Sequence, residues 1–280
     1  MVINIYTMNK KVADLPLLDD FKKLSTENID EFREKGHTLV QEVLTADEIA
    51  AYRPVIVGAA DRYNTETRKM DDRDTYGKAF LQIMNLWRVD EDVKRFVLGK
   101  RMAKIAADLM GVENVRIYHD QALFKEAGGG PTPWHQDQYY WPIDTNNTVT
   151  MWMPLVDIDI EMGMLTFASG SYKEGSIFNF EISDESEEAF DNYVKEHNFP
   201  ISRAKTMNAG DATWHRGFTI HHANGNDSNK MREVMTIIYV ADGAHVTPYK
   251  NNWQKNDHHK WLMDKPIGEL IDSELNPKVL

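Results

Sequence analysis

At 280 residues the chain exceeds the ~100–200 residues of a usual domain, although all-β sandwiches and barrels reach this length as one unit. Apolar residues make up 42% and aromatics 10%, enough for a sizeable core, while a net charge of −12 with no Lys/Arg cluster argues against nucleic acid as a partner. The absence of cysteine removes disulfides, thiolate nucleophiles, iron–sulfur clusters and cysteine-type zinc sites, so any metal must rest on His, Asp and Glu.

The opening residues, MVINIYTMNKKVADLPLLDD, lack the apolar run of a signal peptide, and nothing later approaches the ~18 apolar residues of a spanning helix, so a cytoplasmic protein with no membrane partner is expected. Helical spacing runs from about Leu18 to Arg53, and Thr45-Ala46-Asp47-Glu48 has the form of a capping box opening a helix near Ala46. From Arg95 to Met110 the apolar positions recur at three and four residues, predicting one amphipathic helix capped by Gly111. After Gly111 the texture changes: VRIYHDQALFK, VTMWMPLVDIDI, GMLTFASGS and EVMTIIYVADG are short β-branched or aromatic runs between turn signals. Gly128-Gly129-Gly130 matches no phosphate-binding pattern and reads as a flexible loop at a site mouth. The acidic stretch from Ser183 to Asn198 reads as an insertion with a solvated face, and the tail from Tyr249 to Leu280 stays unassigned, with Trp253 and Trp261 as candidate anchors. Helices followed by strands predict a mainly β fold with flanking helices, a double-sheet jelly roll. The expected division is a largely helical region over 1–112, a jelly-roll core over 113–245 with an insertion near 180–205, and a tail over 246–280, all in one domain.

The chemistry centres on Trp134-His135-Gln136-Asp137, followed 84 residues after Asp137 by His221. On an extended strand, side chains two apart share a face, so His135 and Asp137 can point at one ion. A distant histidine on a neighbouring strand would complete a 2-His-1-carboxylate triad, which leaves positions open on iron for co-substrate and oxygen. A lone His-x-Asp is weak evidence, but Arg232 lies 11 residues beyond His221 at the head of an apolar run, where its guanidinium matches the far carboxylate of a keto acid.

These segments resemble the phytanoyl-CoA dioxygenase family of Fe(II)/2-oxoglutarate oxygenases. FREKGHTLVQEVLTADEIAAYR resembles the family's opening helix, strand and helix; PTPWHQDQYYWP resembles its metal motif; GDATWHRGFTIHHANGN with Arg232 resembles the segment holding the second histidine, an asparagine (Asn226) and an arginine. The resemblance implies a double-stranded β-helix fold, Fe(II), 2-oxoglutarate and O2 as cofactors, a small-molecule substrate hydroxylated at an unactivated C–H bond, and succinate and CO2 as co-products. It implies His135, Asp137 and His221 as metal ligands, with His221 chosen over His215 and His222 because it keeps the offsets to Asn226 and Arg232. It also implies Arg232 as the co-substrate anchor and Gln121, Lys125, Thr150 and Trp152 as further residues of the 2-oxoglutarate pocket. The sequence departs from the family pattern at Ala223, where some relatives carry serine, and at His222, where glycine is frequent. Related halogenases replace the carboxylate by a small residue, so Asp137 disfavours halogenation.

Other readings stand beside this one. A jelly-roll protein that binds a metal or ligand without turnover would need an incomplete triad, and a zinc hydrolase would use a His/Asp site without oxygen. The aromatics Trp134, Tyr139, Tyr140 and Trp141 fit a substrate wall and core packing equally well. His119 reads as a structural histidine before a substrate-binding one, and His258 and His259 as surface residues.

Overall fold

In the computed structural model residues 15–177 and 181–280 are described; the first fourteen residues, on which part of the reading of the N-terminus rests, lie outside them. Ser25 caps the first helix, α1 (Thr26–Lys35), and Gly36 ends it in the left-handed region at φ 81°. A strand follows at once, β1 (His37–Val40), so the helical spacing expected across Leu18 to Arg53 is interrupted by extended chain. The capping box at Thr45 forms as expected: the Thr45 hydroxyl accepts from the Glu48 amide at 3.3 Å, and the Glu48 carboxylate accepts from the Thr45 amide at 2.8 Å. It opens α2 (Ala46–Tyr63). After the short α3 (Thr75–Ala79) and β2 (Leu81–Met84), the single helix expected over Arg95–Met110 is two, α4 (Glu91–Val97) and α5 (Lys100–Met110). The break falls at Gly99, where a Cβ would stand 2.9 Å from Leu18 Cβ, so close packing there requires glycine. Gly111 caps α5 as expected, at φ 71°.

The strand texture beyond Gly111 becomes β3 (Val115–Phe124), β4 (Thr132–His135), β5 (Thr148–Pro154), β6 (Ile158–Asp159) and β7 (Leu165–Ala168). The helix α6 (Asp184–Glu196) is inserted before β8 (Ile201–Arg203), β9 (Thr206–Met207), β10 (Ala212–Arg216), β11 (His221–Ala223) and β12 (Val234–Ala241). A large antiparallel sheet has the order β1-β10-β5-β12-β3-β2, and a smaller one the order β4-β11-β7-β8; β6 pairs with β9. These two facing sheets are the jelly roll. Residues 15–112 are thus largely helical but also supply β1 and β2, the two edges of the large sheet.

Alternation along the strands decides what each face does. Met151 and Met153 of β5, Ile237 and Tyr239 of β12 and Trp214 of β10 join the helices' Ile56, Phe96, Ile105 and Leu109 in the main core. Their neighbours Thr150, Trp152, Thr236 and His215 turn to the space between the sheets. A bulge between Ile238 and Tyr239, opposite Tyr118, shifts the alternation of β3, so that His119, Gln121 and Leu123 also face that space. The insertion helix α6 is more than a solvated face: Phe190 and Val194 pack with Trp134 and Ile220, and Glu187 accepts from the Trp134 amide at 2.7 Å. The tail forms α7 (Asn252–Trp261). No described helix is long and apolar enough to cross a membrane.

Gly36 joins α1 to β1 with no room to spare, because a Cβ there would lie 2.4 Å from Tyr172 Cδ1 and 2.7 Å from Thr219 Oγ1. Gly36→Ala is expected to cost on the order of 2 kcal/mol, read as a fall in Tm of several degrees. An unchanged Tm would mean that Tyr172 and Thr219 yield freely.

Candidate metal centre

β11 lies between β4 and β7, and its register with β4 sets His221 directly opposite His135, with ring centroids 4.1 Å apart. β4 stops at His135, shorter than the strand expected to carry both motif residues, and Asp137 begins a 3-10 turn through Tyr140. Gln136 between them keeps extended angles of φ −122° and ψ 125°, so the two-residue offset still brings Asp137 to the side of His135. Asp137 Oδ1 is 3.5 Å from His135 Nε2 and 3.7 Å from His221 Nε2. One donor atom from each of the three residues lies within 4.8 Å of the other two.

Hydrogen bonds set which ring nitrogens face the centre. His135 Nδ1 lies 2.7 Å from the Pro133 carbonyl and His221 Nδ1 2.9 Å from the Thr219 carbonyl. A carbonyl only accepts, so both protons sit on Nδ1 and both Nε2 lone pairs face Asp137. Burial, followed by the neighbouring His135 and His215, drives the His221 pKa well below its ordinary value and keeps that ring neutral. For Asp137, burial works upward, but His221, His135 and His215 outweigh it and hold the carboxyl well below the usual carboxylate range.

The other two candidate histidines serve elsewhere. His215 Nε2 lies 3.2 Å from Asp137 Oδ2, and the Thr150 hydroxyl donates to the same oxygen at 2.9 Å. One carboxylate oxygen is thereby held from behind while the other faces the histidine pair. His222 points to the opposite face of β11 and stacks on Trp134 at 3.9 Å. Sequence reasoning weighed His215 only as a rival ligand and missed its hydrogen bond to Asp137, which depends on the pairing of β10 with β5 that sets His215 beside Thr150.

A cavity of about 610 Å3 opens over these groups, lined by the triad and by Gln121, Thr150, Trp152 and Arg232. Arg232 is 2% exposed; its Nη1 donates to the Gly163 carbonyl at 2.5 Å, its Nε has no partner, and its guanidinium lies 5.3 Å from the Trp152 ring centroid. Among the described residues no carboxylate pairs with it, and burial pushes its pKa down to about 9. Asn226 explains its placement: fully buried, the Asn226 amide donates to the Lys125, Glu126 and Lys230 carbonyls, closing the loop that returns Arg232 antiparallel to Lys125.

Lys125 does not line the cavity, contrary to expectation. Its ammonium turns to the Gly130 carbonyl and to Thr132 Oγ1, and burial, with the nearby Arg232 charge, pushes its pKa down to about 6. The Gly128–Gly130 loop is likewise not at the mouth; it is bonded to Asn226 through the Gly128 amide and the Gly129 carbonyl. Of the four aromatics near the motif, Tyr140 and Trp141 line the cavity while Trp134 packs in the core beneath α6. His119 lines the cavity, His259 is exposed, and His258 Nε2 lies 2.7 Å from the Lys265 carbonyl. Sequence reasoning also missed α7, whose Trp253, Asn256, Asp257, Lys260 and Trp261 close one side of the cavity. Two tryptophans eight residues apart in a polar tail were the available signal.

Two imidazole Nε2 donors, one carboxylate oxygen and open space above them fit a divalent metal that retains free positions, and the orphaned Arg232 fits a carboxylate-bearing co-substrate. The model for phytanoyl-CoA dioxygenase matches residues 32–234. The chain belongs to that family. The probable alpha-ketoglutarate-dependent hypophosphite dioxygenase of Stutzerimonas stutzeri is 22% identical over 228 residues, covering 76% of this chain and 78% of the relative. Among solved structures, the non-heme alpha-ketoglutarate-dependent carbocyclase SnoK from nogalamycin biosynthesis has 24% identity and a TM-score of 0.76 over 92% of this chain and 97% of its own. The epimerase SnoN, solved with Fe3+, alpha-ketoglutarate and nogalamycin RO, has 22% identity and a TM-score of 0.73 over 91% and 98%. At these identities the two structures confirm the fold.

His135→Ala and His221→Ala are expected to lose stoichiometric Fe(II) after anaerobic reconstitution, whereas His222→Ala retains it and His215→Ala binds it more weakly without abolishing it. Iron content measured on the four variants checks this. Full iron loss in His215→Ala with retention in His221→Ala would reverse the assignment of the two histidines.

Proposed function

We propose that this protein is an Fe(II)- and 2-oxoglutarate-dependent dioxygenase that oxidises a C–H bond of a small organic substrate. One observation carries the reading: a single cavity joins the His135–Asp137–His221 donor set to a buried guanidinium that has no carboxylate partner among the described residues. Iron and 2-oxoglutarate, once bound, supply oxidation by O2 with release of succinate and CO2, hydroxylation being the expected outcome. The complete donor set favours turnover over a purely binding role.

The chain's own share is placement. His135 and His221 present Nε2 and Asp137 presents Oδ1, while Thr150 and His215 keep the carboxylate from rotating. Thr150 thus acts through Asp137 in addition to lining the pocket. Arg232 receives the distal carboxylate of 2-oxoglutarate, backed by Trp152, with Gln121 held nearby by the Gln82 amide at 2.5 Å. Lys125 acts from behind, holding the segment 130–132 through its bonds to Gly130 and Thr132. The cavity walls exclude bulk water, which strengthens every charged contact inside. The same reading places the protein in the cytoplasm, where reducing conditions suit ferrous iron.

Arg232→Ala should weaken 2-oxoglutarate binding by roughly 30-fold to several thousand-fold, the ~2–5 kcal/mol of a buried charge-assisted pair. Arg232→Lys, which keeps the charge and loses the fork, should fall between. Iron affinity should change little in either. Titration of 2-oxoglutarate into anaerobic Fe(II) protein, followed by the charge-transfer absorption, measures this; unchanged affinity in Arg232→Ala would remove Arg232 from the site.

A further inference from the structure

The cavity has two ends. Arg232 pairs with Lys125 just beyond one end of β3, while Tyr118 and His119 lie six to seven residues away along the same strand, roughly 20 Å for extended chain. A five-carbon diacid anchored at Arg232 and reaching the triad cannot also fill the far end, so that end is left for the prime substrate. Its lining is acidic and aromatic. Glu181 and Asp184 stand exposed at the rim, flanking the Ile182 amide that donates to the Tyr140 hydroxyl, and Asp257 is half-buried, against Lys260 as the one cation lining that end among the described residues. Tyr76, Tyr140, Trp141, Trp253 and Trp261 supply the ring surfaces.

Two interior groups make this more than an acidic rim. The His119 imidazole is buried at 4% exposure, lines the cavity and has no hydrogen-bond partner among the described residues. Beside it, 5.7 Å away, is the ring of Trp261, and Asp257 accepts from the Tyr118 hydroxyl at 3.1 Å. Burial pushes the Asp257 pKa up to about 8 against hydrogen bonds from Tyr118 and Trp261 and the neighbouring Lys260, so this carboxyl is undercompensated in the free protein. Burial pushes the His119 pKa down to about 3, which leaves an uncharged ring that does not repel a cation.

We propose that the prime substrate carries a basic nitrogen and binds as its ammonium ion at the Asp257–His119 end, between the carboxylate and the faces of Trp141 and Trp261. The ammonium supplies the charge that Asp257 lacks, its remaining protons reach the unpartnered imidazole, and tryptophan faces attract cations. The rim carboxylates draw the same charge toward the mouth. This rests on the oxygenase reading above, since the far end is a substrate site only if iron and 2-oxoglutarate occupy the near one.

Calorimetric titration of the anaerobic Fe(II)/2-oxoglutarate protein with 3-phenylpropan-1-amine and with 3-phenylpropan-1-ol isolates the charge, because the two probes share their shape. The amine should bind about tenfold or more tightly than the alcohol at neutral pH. Asp257→Asn, which keeps the side chain's volume, should bring the two probes within about threefold while 2-oxoglutarate affinity stays unchanged. Equal binding of the two probes by the unaltered protein overturns the proposal whether or not the variant folds, and so does an amine preference that survives in folded Asp257→Asn. An amine preference in a protein that gives no charge-transfer band with iron and 2-oxoglutarate would instead remove the oxygenase reading.

Discussion

The antiparallel register between β4 and β11 sets His221 opposite His135, and the chemistry of the site follows from it. A slip of one residue would turn His221 to the face where His222 now packs on Trp134 and set Ile220 or His222 opposite His135 in its place. The surroundings hold this register firmly. β7 pairs with β11 on its other side, α6 presses Phe190 and Glu187 against Trp134, and the Ser171 hydroxyl accepts from the Ile220 amide at 2.9 Å. The two candidate histidine donors thus stand on one small sheet with Asp137 just past the end of β4, while the group that steadies Asp137 from behind, His215, comes from the large sheet.

That division explains what could be read from the residues alone. The motif at His135 and Asp137 is local, and the strand runs beyond Gly111 carry their own period-two pattern, so both were legible. The distal histidine was legible only through offsets to Asn226 and Arg232, and those offsets prove physical: Asn226 closes the loop whose length returns Arg232 to the cavity. What escaped depended on contacts distant in sequence. Lys125 follows β3 with the parity of the cavity-facing Gln121 and Leu123, but its bonds to Gly130 and Thr132 draw its ammonium away from the cavity. The break of the expected 95–110 helix at Gly99 reflects packing against Leu18, some eighty residues earlier, which periodicity cannot register. The four residues of β1 carry too little pattern to stand out against helical spacing, and only the resemblance of FREKGHTLVQEVLTADEIAAYR to a helix, strand and helix pointed to a strand there.

The site also divides by the kind of structure that builds it. The two histidines stand on paired strands, where backbone ladders fix position, and Asp137 and Arg232 lie within two residues of strand ends. The far wall comes from α7 and the rim around Asp184, helical pieces outside the sheets. Changes in α7 can therefore alter which molecule is accepted without disturbing the metal donors.

Arg232 and Lys125 are adjacent, buried and without an acidic partner among the described residues, an arrangement unfavourable to folding on its own. An anion seated there relieves it, and only the folded chain offers the seat. Its concentration is then part of the folding equilibrium itself. If the proposed diacid is that anion, such a protein would be least durable when the diacid is scarce, and its supply would govern how long each molecule persists as well as how often it turns over.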